Sequence, residues 1–424
     1  MQRRVFLALV AAACAGPSFA EAPPLIVPPA PALRASDLLG ASGDPAFLAW
    51  LDDFYARQIA AGWPRAVLDQ ALSGLAPDPR VMAHDATQPE FVRPISQYIA
   101  AAVSPGAVAI GRRKRDEVPQ LAAIERAYGV PADILVAIWG MESAFGASQG
   151  DFDVVRSFAT LAAEAPRRRE WAERELVACL KILSSGAASR SQLRGSWAGA
   201  MGQTQLLPSS FLTTAVAAAG EGRPDIWGSP ADALASAARL LATSGWVRGQ
   251  GWAREVILPD RFDPGLSEGP KQTPSWWRAK GVRRADRRSW PAADADAPAQ
   301  LLLPCGAAGP AFLAFPNHFV IRTYNDSLAY ALAVGLLADR LGGAPPLATP
   351  WPPETPLSLT DRLDAQTALA KLGYDPGALD GVVGLGTRQA LRAWQKARGL
   401  PADGYLSPDM VRRLRLETTA ADRA

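Results

Sequence analysis

Apolar residues recur at helical spacing over most of the chain. Leu176, Leu180 and Leu183 fall four and three positions apart beside Cys179, and Ala233, Ala237, Leu240 and Leu241 repeat the pattern. Such spacing places side chains on one face of a helix. Two proline-rich segments, residues 23–31 and 344–356, bracket this region and read as extended linkers. Between them the pattern predicts a mainly α domain. Its strand signals are short: Glu255-Val256-Ile257-Leu258 and His318-Phe319-Val320-Ile321 predict a small sheet or hairpin beside the helices.

The last segment has its own rhythm. Leu363, Leu369 and Leu372 lead into Gly373-Tyr374, and Asp380-Gly381 is followed eleven positions after Asp380 by Leu391. Asp403-Gly404 precedes Leu414 at the same offset. Asp-Gly pairs supply turns and each leucine set supplies a helix face, so two turn-plus-helix units pack behind a first helix.

The chain has 424 residues, 49% of them hydrophobic, enough for a sizeable core and more than one domain. At the N-terminus, Arg3 and Arg4 precede an apolar run from Val5 to Ala13 and the small-x-small site Ser18-Phe19-Ala20. That layout predicts a secretory signal over residues 1–20 and a periplasmic protein. Cys14 loosely fits a lipid-anchor site, but the Ala20 site fits small-residue cleavage better. Cys179 and Cys305 remain after cleavage, and either a disulfide or two buried thiols is compatible with their positions. Loss of Arg3 and Arg4 takes the basic count from 44 to 42 against 41 acids, so the formal charge falls from +3 to +1. A near-neutral chain is not a nucleic-acid binder, and Arg112-Arg113-Lys114-Arg115, followed by Asp116 and Glu117, reads as a solvated helix face.

The candidate chemistry lies in one helix. Val130-Pro131-Ala132-Asp133 opens it, and Ile134, Leu135, Val136, Ala137, Ile138, Trp139 and Met141 surround it with apolar side chains. Glu142 ends it, before Ser143-Ala144-Phe145-Gly146. A carboxyl there is either a paired structural charge or a desolvated general acid, and perturbed carboxyls concentrate at sites.

Several longer motifs occur in one order. Glu142-Ser143-x-x-Gly146 is followed by Leu161 to Pro166-Arg167-Arg168, then by Gly195-Ser196-Trp197-Ala198-Gly199-Ala200-Met201-Gly202-x-x-Gln205-x-x-Pro208-Ser209-Ser210. Asp225-Ile226-Trp227, Gly245-Trp246 and Arg322-x-Tyr324-Asn325-x-Ser327-x-x-Tyr330-Ala331 continue the series. Over residues 45–342 the chain resembles the membrane-bound lytic murein transglycosylase B family. Residues 357–417, with Gly384, Thr387, Trp394-Gln395 and Leu400 beside the turns above, resemble the small three-helix peptidoglycan-binding domain. Residues 21–44 and 343–356 are then linkers, and residues 418–424 a tail.

The resemblance implies a lysozyme-like α+β catalytic domain, mainly helical with a small β element, and Glu142 as the one catalytic carboxylate. It implies cleavage of the β-1,4 bond between N-acetylmuramic acid and N-acetylglucosamine, with a 1,6-anhydro product and no cofactor. Ser196, Gln205, Tyr324 and Asn325 would lie near the cleaved bond, and Arg167 and Arg168 near the glycan or its peptide stem. Trp171 and Tyr330 would be the first choices for stacking on sugar rings, ahead of Trp197 and Trp227. The implied partners are peptidoglycan glycan strands, with cell-wall synthesis or division proteins as further candidates and a monomer as the working state. Ser196, Gln205, Arg167, Arg168 and each aromatic also have plain structural readings.

One departure stands out. Relatives in this family can carry a calcium loop, but the equivalent stretch here has Ala217, Ala219 and Arg223 where oxygen donors are needed, which predicts no metal. His84 and His318, the two histidines, make no zinc motif. Two other activities stay open: a hydrolytic muramidase with Asp151 or Asp153 as second carboxylate, and a non-catalytic wall-binding scaffold.

Overall fold

A computed structural model describes residues 34–86 and 93–421. The signal segment, Cys14 and the first part of the 21–44 linker lie outside the described residues. The described chain is mostly helical, with one short antiparallel pair, Phe152–Asp153 against Arg194–Gly195, and one larger antiparallel sheet. The sheet runs in the order Arg283–Arg284, Ala253–Ile257, Ala311–Ala314, Gln300–Leu302. Among the described residues no helix is long and apolar enough to cross a membrane.

The helix Ala132–Ser143 sits at the centre of one hydrophobic core. Ile134 through Trp139 are all buried, Pro131 stands before its first turn, and Asp133 lies in that turn, where the helix dipole favours an acid. Leu328–Leu341 packs against it, opened by Ser327, whose hydroxyl accepts the Tyr330 N–H. The far end of that second helix is closed by arginines. Arg112 donates to the Arg340 and Leu341 carbonyls, and Arg115 bonds the Leu341 carbonyl and pairs with Asp133 at 2.8 Å. The predicted solvated face is therefore only half solvated: Arg113 and Lys114 face outward with Glu117, while Arg112 and Arg115 satisfy helix-end carbonyls. A second core joins Pro45–Ala60, Val154–Glu164 and Arg169–Ser184, and holds Cys179. Both Cys179 and Cys305 are free, buried thiols.

One strand expectation fails. Glu255–Ile257 lies in the strand Ala253–Ile257, but His318–Ile321 lies in the helix Pro316–Ile321. Pro316 occupies the first turn, where its fixed φ and missing N–H favour a helix, and the strand ends just before it at Ala314.

The C-terminal domain has the expected three helices, Leu359–Lys371, Leu385–Ala397 and Pro408–Ala421. Its repeat has a physical basis. Buried Gln366 accepts the Gly381 N–H at 2.8 Å, and buried Gln395 accepts the Gly404 N–H at 2.8 Å. Asp380 and Asp403 each accept the N–H two residues on, and Gly381 and Gly404 hold φ of 75° and 71°. Each Asp-Gly turn is thus clasped by a glutamine from the preceding helix.

The proline-rich segment before this domain is laid down rather than free. Glu255 accepts the Ala348 and Thr349 N–H groups, and Trp351 packs on Phe312 with ring centroids 6.4 Å apart. Glu354 accepts from the Ser96 N–H and the Tyr405 hydroxyl. Glu268 of the N-terminal body, 8% exposed, pairs with Arg388 at 2.6 Å and with Arg392, both on the C-terminal domain. Burial pushes the Glu268 carboxyl up, but the hydrogen bonds and charges of the two arginines outweigh it and hold the group below its ordinary value. The extended linker is thus a docked strap, because its amides and its tryptophan find partners on the N-terminal body.

With the folded pKa depressed, the Glu268 contribution is complete above the ordinary value of 4.5 and is lost as pH falls through the lower folded value. Glu268→Ala leaves two arginines uncompensated and costs about 3–5 kcal/mol of docking. Calorimetry should then show the C-terminal domain unfolding as a separate, earlier transition at neutral pH, while the wild type melts in one. A single unsplit transition in the variant would remove this ion pair from the docking account.

Candidate active site

The buried helix Ala132–Ser143 ends on a left-handed turn. Ala144 and Phe145 have φ of 50° and 60°, a conformation that costs roughly 1–3 kcal/mol for a residue with a side chain. The turn folds the chain back so that the Phe145 ring lies against Gly140, where a Cβ would come within 2.6 Å of it. Ser143, 1% exposed, donates to the Gln203 carbonyl at 2.5 Å and accepts the Gly146 N–H. The helix end is thereby fixed to the loop 195–206, and Glu142, half-buried, is presented beside that loop.

Tyrosines surround the carboxyl. The Tyr330 hydroxyl donates to Glu142 Oε1. Burial first, and then the Glu142 charge, push the Tyr330 phenol well above its ordinary value, so it stays protonated as a donor. Tyr324 is shifted upward by the same two causes; its hydroxyl is buried, ends near Thr204 and makes no hydrogen bond of good geometry. Tyr98, on the helix Ile95–Ala102, also lies close enough to act on Tyr330. Tyr330 is 3% exposed and cannot offer a ring face to a sugar, so its place is beneath the carboxyl and not on the cleft floor. Asn325 follows Tyr324 on the same loop and is half-buried.

The loop 195–206 is held by its own polar atoms. Ser196 Oγ accepts the Ala200 N–H at 3.1 Å, closing a turn, and Met201 bridges to both Gly195 and Leu206. Gly199, with φ of 79°, sits on the Phe158 ring, where a Cβ would meet it at 2.1 Å. Gln205, also at positive φ, donates to the Gln149 and Gly202 carbonyls at 3.0 and 2.8 Å. Gln203 and Gln149 both donate to the Trp227 carbonyl. Ser196 and Gln205 thus carry loop-closing bonds. Gln149, Gln203 and Ser143 support the same wall; Ser143 is a named motif position, whereas Gln203 falls at an unspecified one and Gln149 outside the motifs, and nothing in the spacing marks those two.

Further along, Arg168 pairs with Asp85 at 2.7 Å and lies over Trp171 and Trp197 at 5.9 and 5.6 Å. His84, exposed, stacks on Trp197 with centroids 6.2 Å apart and planes 13° from parallel. Trp171 is half-buried with its edge on Phe158, and Arg167 is exposed. Trp227 donates its indole N–H to the Arg194 carbonyl and packs on Phe211. The structure therefore groups Arg168, Trp171, Trp197 and His84 at one end of the loop wall.

Asp153 caps the helix Val154–Glu164 through the Arg156 N–H and pairs with Arg190 at 2.7 Å. Asp151 is exposed beside Arg80. Glu142 is the carboxylate that acts on both buried tyrosines.

The transglycosylase SLT domain family matches residues 46–339, and the peptidoglycan-binding domain family matches residues 358–414. Membrane-bound lytic murein transglycosylase B of Escherichia coli strain K12 is 34% identical over 214 residues, which span 50% of this chain and 57% of that relative. The chain thus matches little more than half of that relative's length. Among solved structures, SltB3 from Pseudomonas aeruginosa, in complexes with NAG-NAM-pentapeptide and with NAG-anhNAM-pentapeptide, has a TM-score of 0.82 at 45% identity, covering 88% of this chain and 100% of that one. Escherichia coli Slt35 in complex with calcium has a TM-score of 0.60 at 27% identity, covering 73% of this chain and 97% of that one. The lysozyme-like, mainly helical fold is shared.

The loop expected to lack calcium is tied by a side chain. Asp232 accepts the Ala218 N–H through one oxygen and the Asp225 N–H through the other, both at 2.9 Å, while Asp225 turns back on the Trp227 and Gly228 N–H groups. The carboxylate joins two ends of the loop, a task a cation with six or more oxygen ligands would otherwise perform. Added calcium or chelator should leave the melting temperature unchanged, whereas Asp232→Ala, which strands two amides, should cost roughly 1–3 kcal/mol. A calcium-dependent rise in melting temperature would overturn this account of the loop.

Proposed function

The chain belongs to the transglycosylase SLT domain family, and from that premise we propose that it is a lytic murein transglycosylase, a lyase that cleaves peptidoglycan between N-acetylmuramic acid and N-acetylglucosamine. The observation that carries this reading is Glu142: one carboxyl at the end of a buried helix, held by the buried Tyr330 hydroxyl. An ordinary retaining or inverting glycosidase needs a second carboxylate at a set separation, whereas a substrate-assisted enzyme does not.

In the proposed reaction Glu142 gives its proton to the glycosidic oxygen as the bond to the muramyl anomeric carbon breaks. The muramyl acetamido oxygen stabilises the oxocarbenium-like centre. The sugar's own 6-hydroxyl then attacks that carbon and returns a proton to Glu142, so the 1,6-anhydro product forms without water. Tyr330, kept protonated by burial, orients the carboxyl through both steps. Ser196, Gln205, Tyr324 and Asn325 form the polar wall at the cleaved bond. Arg167, Arg168 and Trp171 meet the glycan or its peptide further along, with His84 and Trp197 in the same cluster.

The hydrolytic alternative requires Asp151 or Asp153. Asp153 is already engaged as a helix cap and an ion-pair partner, which favours the single-carboxylate reading. Glu142→Gln should lower turnover by at least about a hundredfold with little change in melting temperature, since the amide keeps shape but cannot carry the proton. Mass spectrometry of the wild-type digest should show products lacking an added water. A hydrated product together with an inactive Asp153→Asn variant would replace the mechanism by hydrolysis.

Export to the periplasm follows from the N-terminal segment and suits a wall substrate. N-terminal sequencing of the mature protein should begin at Glu21, and an acylated Cys14 recovered with membranes would reverse the soluble assignment.

A further inference from the structure

Docking of the C-terminal domain closes a pocket of about 460 Å³ against the catalytic body. One wall is the loop 322–328, whose Tyr324 and Asn325 belong to the Glu142 site and whose Asp326, Ser327 and Leu328 line the pocket. The opposite wall comes from the C-terminal domain, with Val383, Gly384, Leu385 and Tyr405. The two sites therefore share one short loop, and a substrate in the cleft has the pocket as its neighbour.

The chemistry of the lining selects among ligands. Sugar rings stack on aromatic faces, yet Tyr405 is the one ring among the described lining residues and its hydroxyl is held by Glu354. Ile95, Leu328, Val383 and Leu385 instead make an aliphatic wall suited to short alkyl side chains. Most charges there are already paired: Arg322 with Asp326 at 2.5 Å and Arg388 with Glu268 at 2.6 Å. Arg93, exposed at the rim, has no ion-pair partner among the described residues. The helix Leu385–Ala397 starts at Gly384, which also lines the pocket, with no side-chain cap, so an anion there would meet the positive end of its dipole. An aliphatic slot lined by a cation with no ion-pair partner among the described residues, and by an uncapped helix start, fits a short peptide ending in carboxylates.

We propose that this interdomain pocket binds the peptide stem of the muramic acid held in the cleft, with a stem carboxylate between Arg93 and the start of the helix Leu385–Ala397. The assignment rests on the transglycosylase reading for its substrate. It makes the C-terminal domain part of the substrate site and not only a separate wall anchor.

The test uses the full chain carrying Glu142→Gln, titrated calorimetrically with NAG-NAM-pentapeptide and with the peptide-free NAG-NAM disaccharide. The peptide should tighten binding by about tenfold or more. Adding Arg93→Ala, or separately Leu385→Trp to fill the slot from the exposed side, should remove most of that gain while changing disaccharide affinity by less than about twofold. Equal affinity for the two ligands in the parent would overturn the proposal, as would variants that weaken both ligands alike. Failure of the wild type to form an anhydro product is read separately by mass: it would overturn the activity and leave this binding comparison intact.

Discussion

The Glu142 carboxyl, to which the proposed function assigns the proton transfer, takes its position from the packing of two helices. Ala132–Ser143 and Leu328–Leu341 run antiparallel: Glu142 at the end of the first meets Tyr330 near the start of the second, and Asp133 at the start of the first meets Gly342 beyond the end of the second. Their interface is apolar along its length, so the two hydrogen-bonded ends set the register. At one end the register places a phenol against a carboxyl; at the other it brings Arg112 and Arg115 onto the carbonyls that close the second helix. A shift of one helix by a turn, about 5.4 Å, would break both ends at once. The site therefore inherits its geometry from the core.

The loop 195–206 adds a second constraint of a different kind. It contributes few large side chains to the core and is held by polar closure: Ser143 to Gln203, Gln205 to Gln149, Gln203 to Trp227, Ser196 to Ala200. Each such bond is worth only about 1 kcal/mol net, but a buried group left unpaired costs roughly 1–3 kcal/mol. The network therefore favours one loop conformation mainly by penalising the alternatives. Ser143 links this loop to the helix that carries Glu142, so one hydrogen bond ties the loop wall to the carboxyl's helix.

Local signals made the helix Ala132–Ser143 legible in the sequence. A proline before the first turn, an acid in that turn and an unbroken apolar run leave a buried helix as the only ready outcome, and Glu142 ends it. The C-terminal repeat was legible for the same reason, since turn and helix alternate within a few residues. Tyr330 illustrates the limit. The family resemblance marked it as a site residue, but whether a tyrosine offers its face or its hydroxyl depends on burial by elements far away in sequence, and here the ring is enclosed and the hydroxyl donates to Glu142. His318–Ile321 fails through a competition between short signals: the β-branched run suggests a strand, and Pro316 decides for a helix. Arg112 and Arg115 look solvated locally because the helix-end carbonyls they close lie more than two hundred positions away.

The proline-rich segment extends that argument to the relation between domains. Composition alone says that it cannot form a helix and that its backbone is extended, and both hold for a free tether and for a docked strap. What separates the two is whether its few amides find acceptors. Glu255 accepts the segment's Ala348 and Thr349 N–H groups, Glu354 of the segment in turn accepts the Ser96 N–H, and Trp351 packs its ring against Phe312. Once the strap is fixed, ordering the C-terminal domain costs far less conformational entropy than capturing it from a loose linker. The Glu268 pair with Arg388 and Arg392 can then act as a specificity device: the desolvation of three charges is repaid only when all three meet in one geometry. Aliphatic contacts alone would tolerate sliding between the two bodies. A buried carboxylate forked by two guanidinium groups does not, and that fixed orientation is what allows the loop 322–328 to serve the cleft on one side and the interdomain pocket on the other.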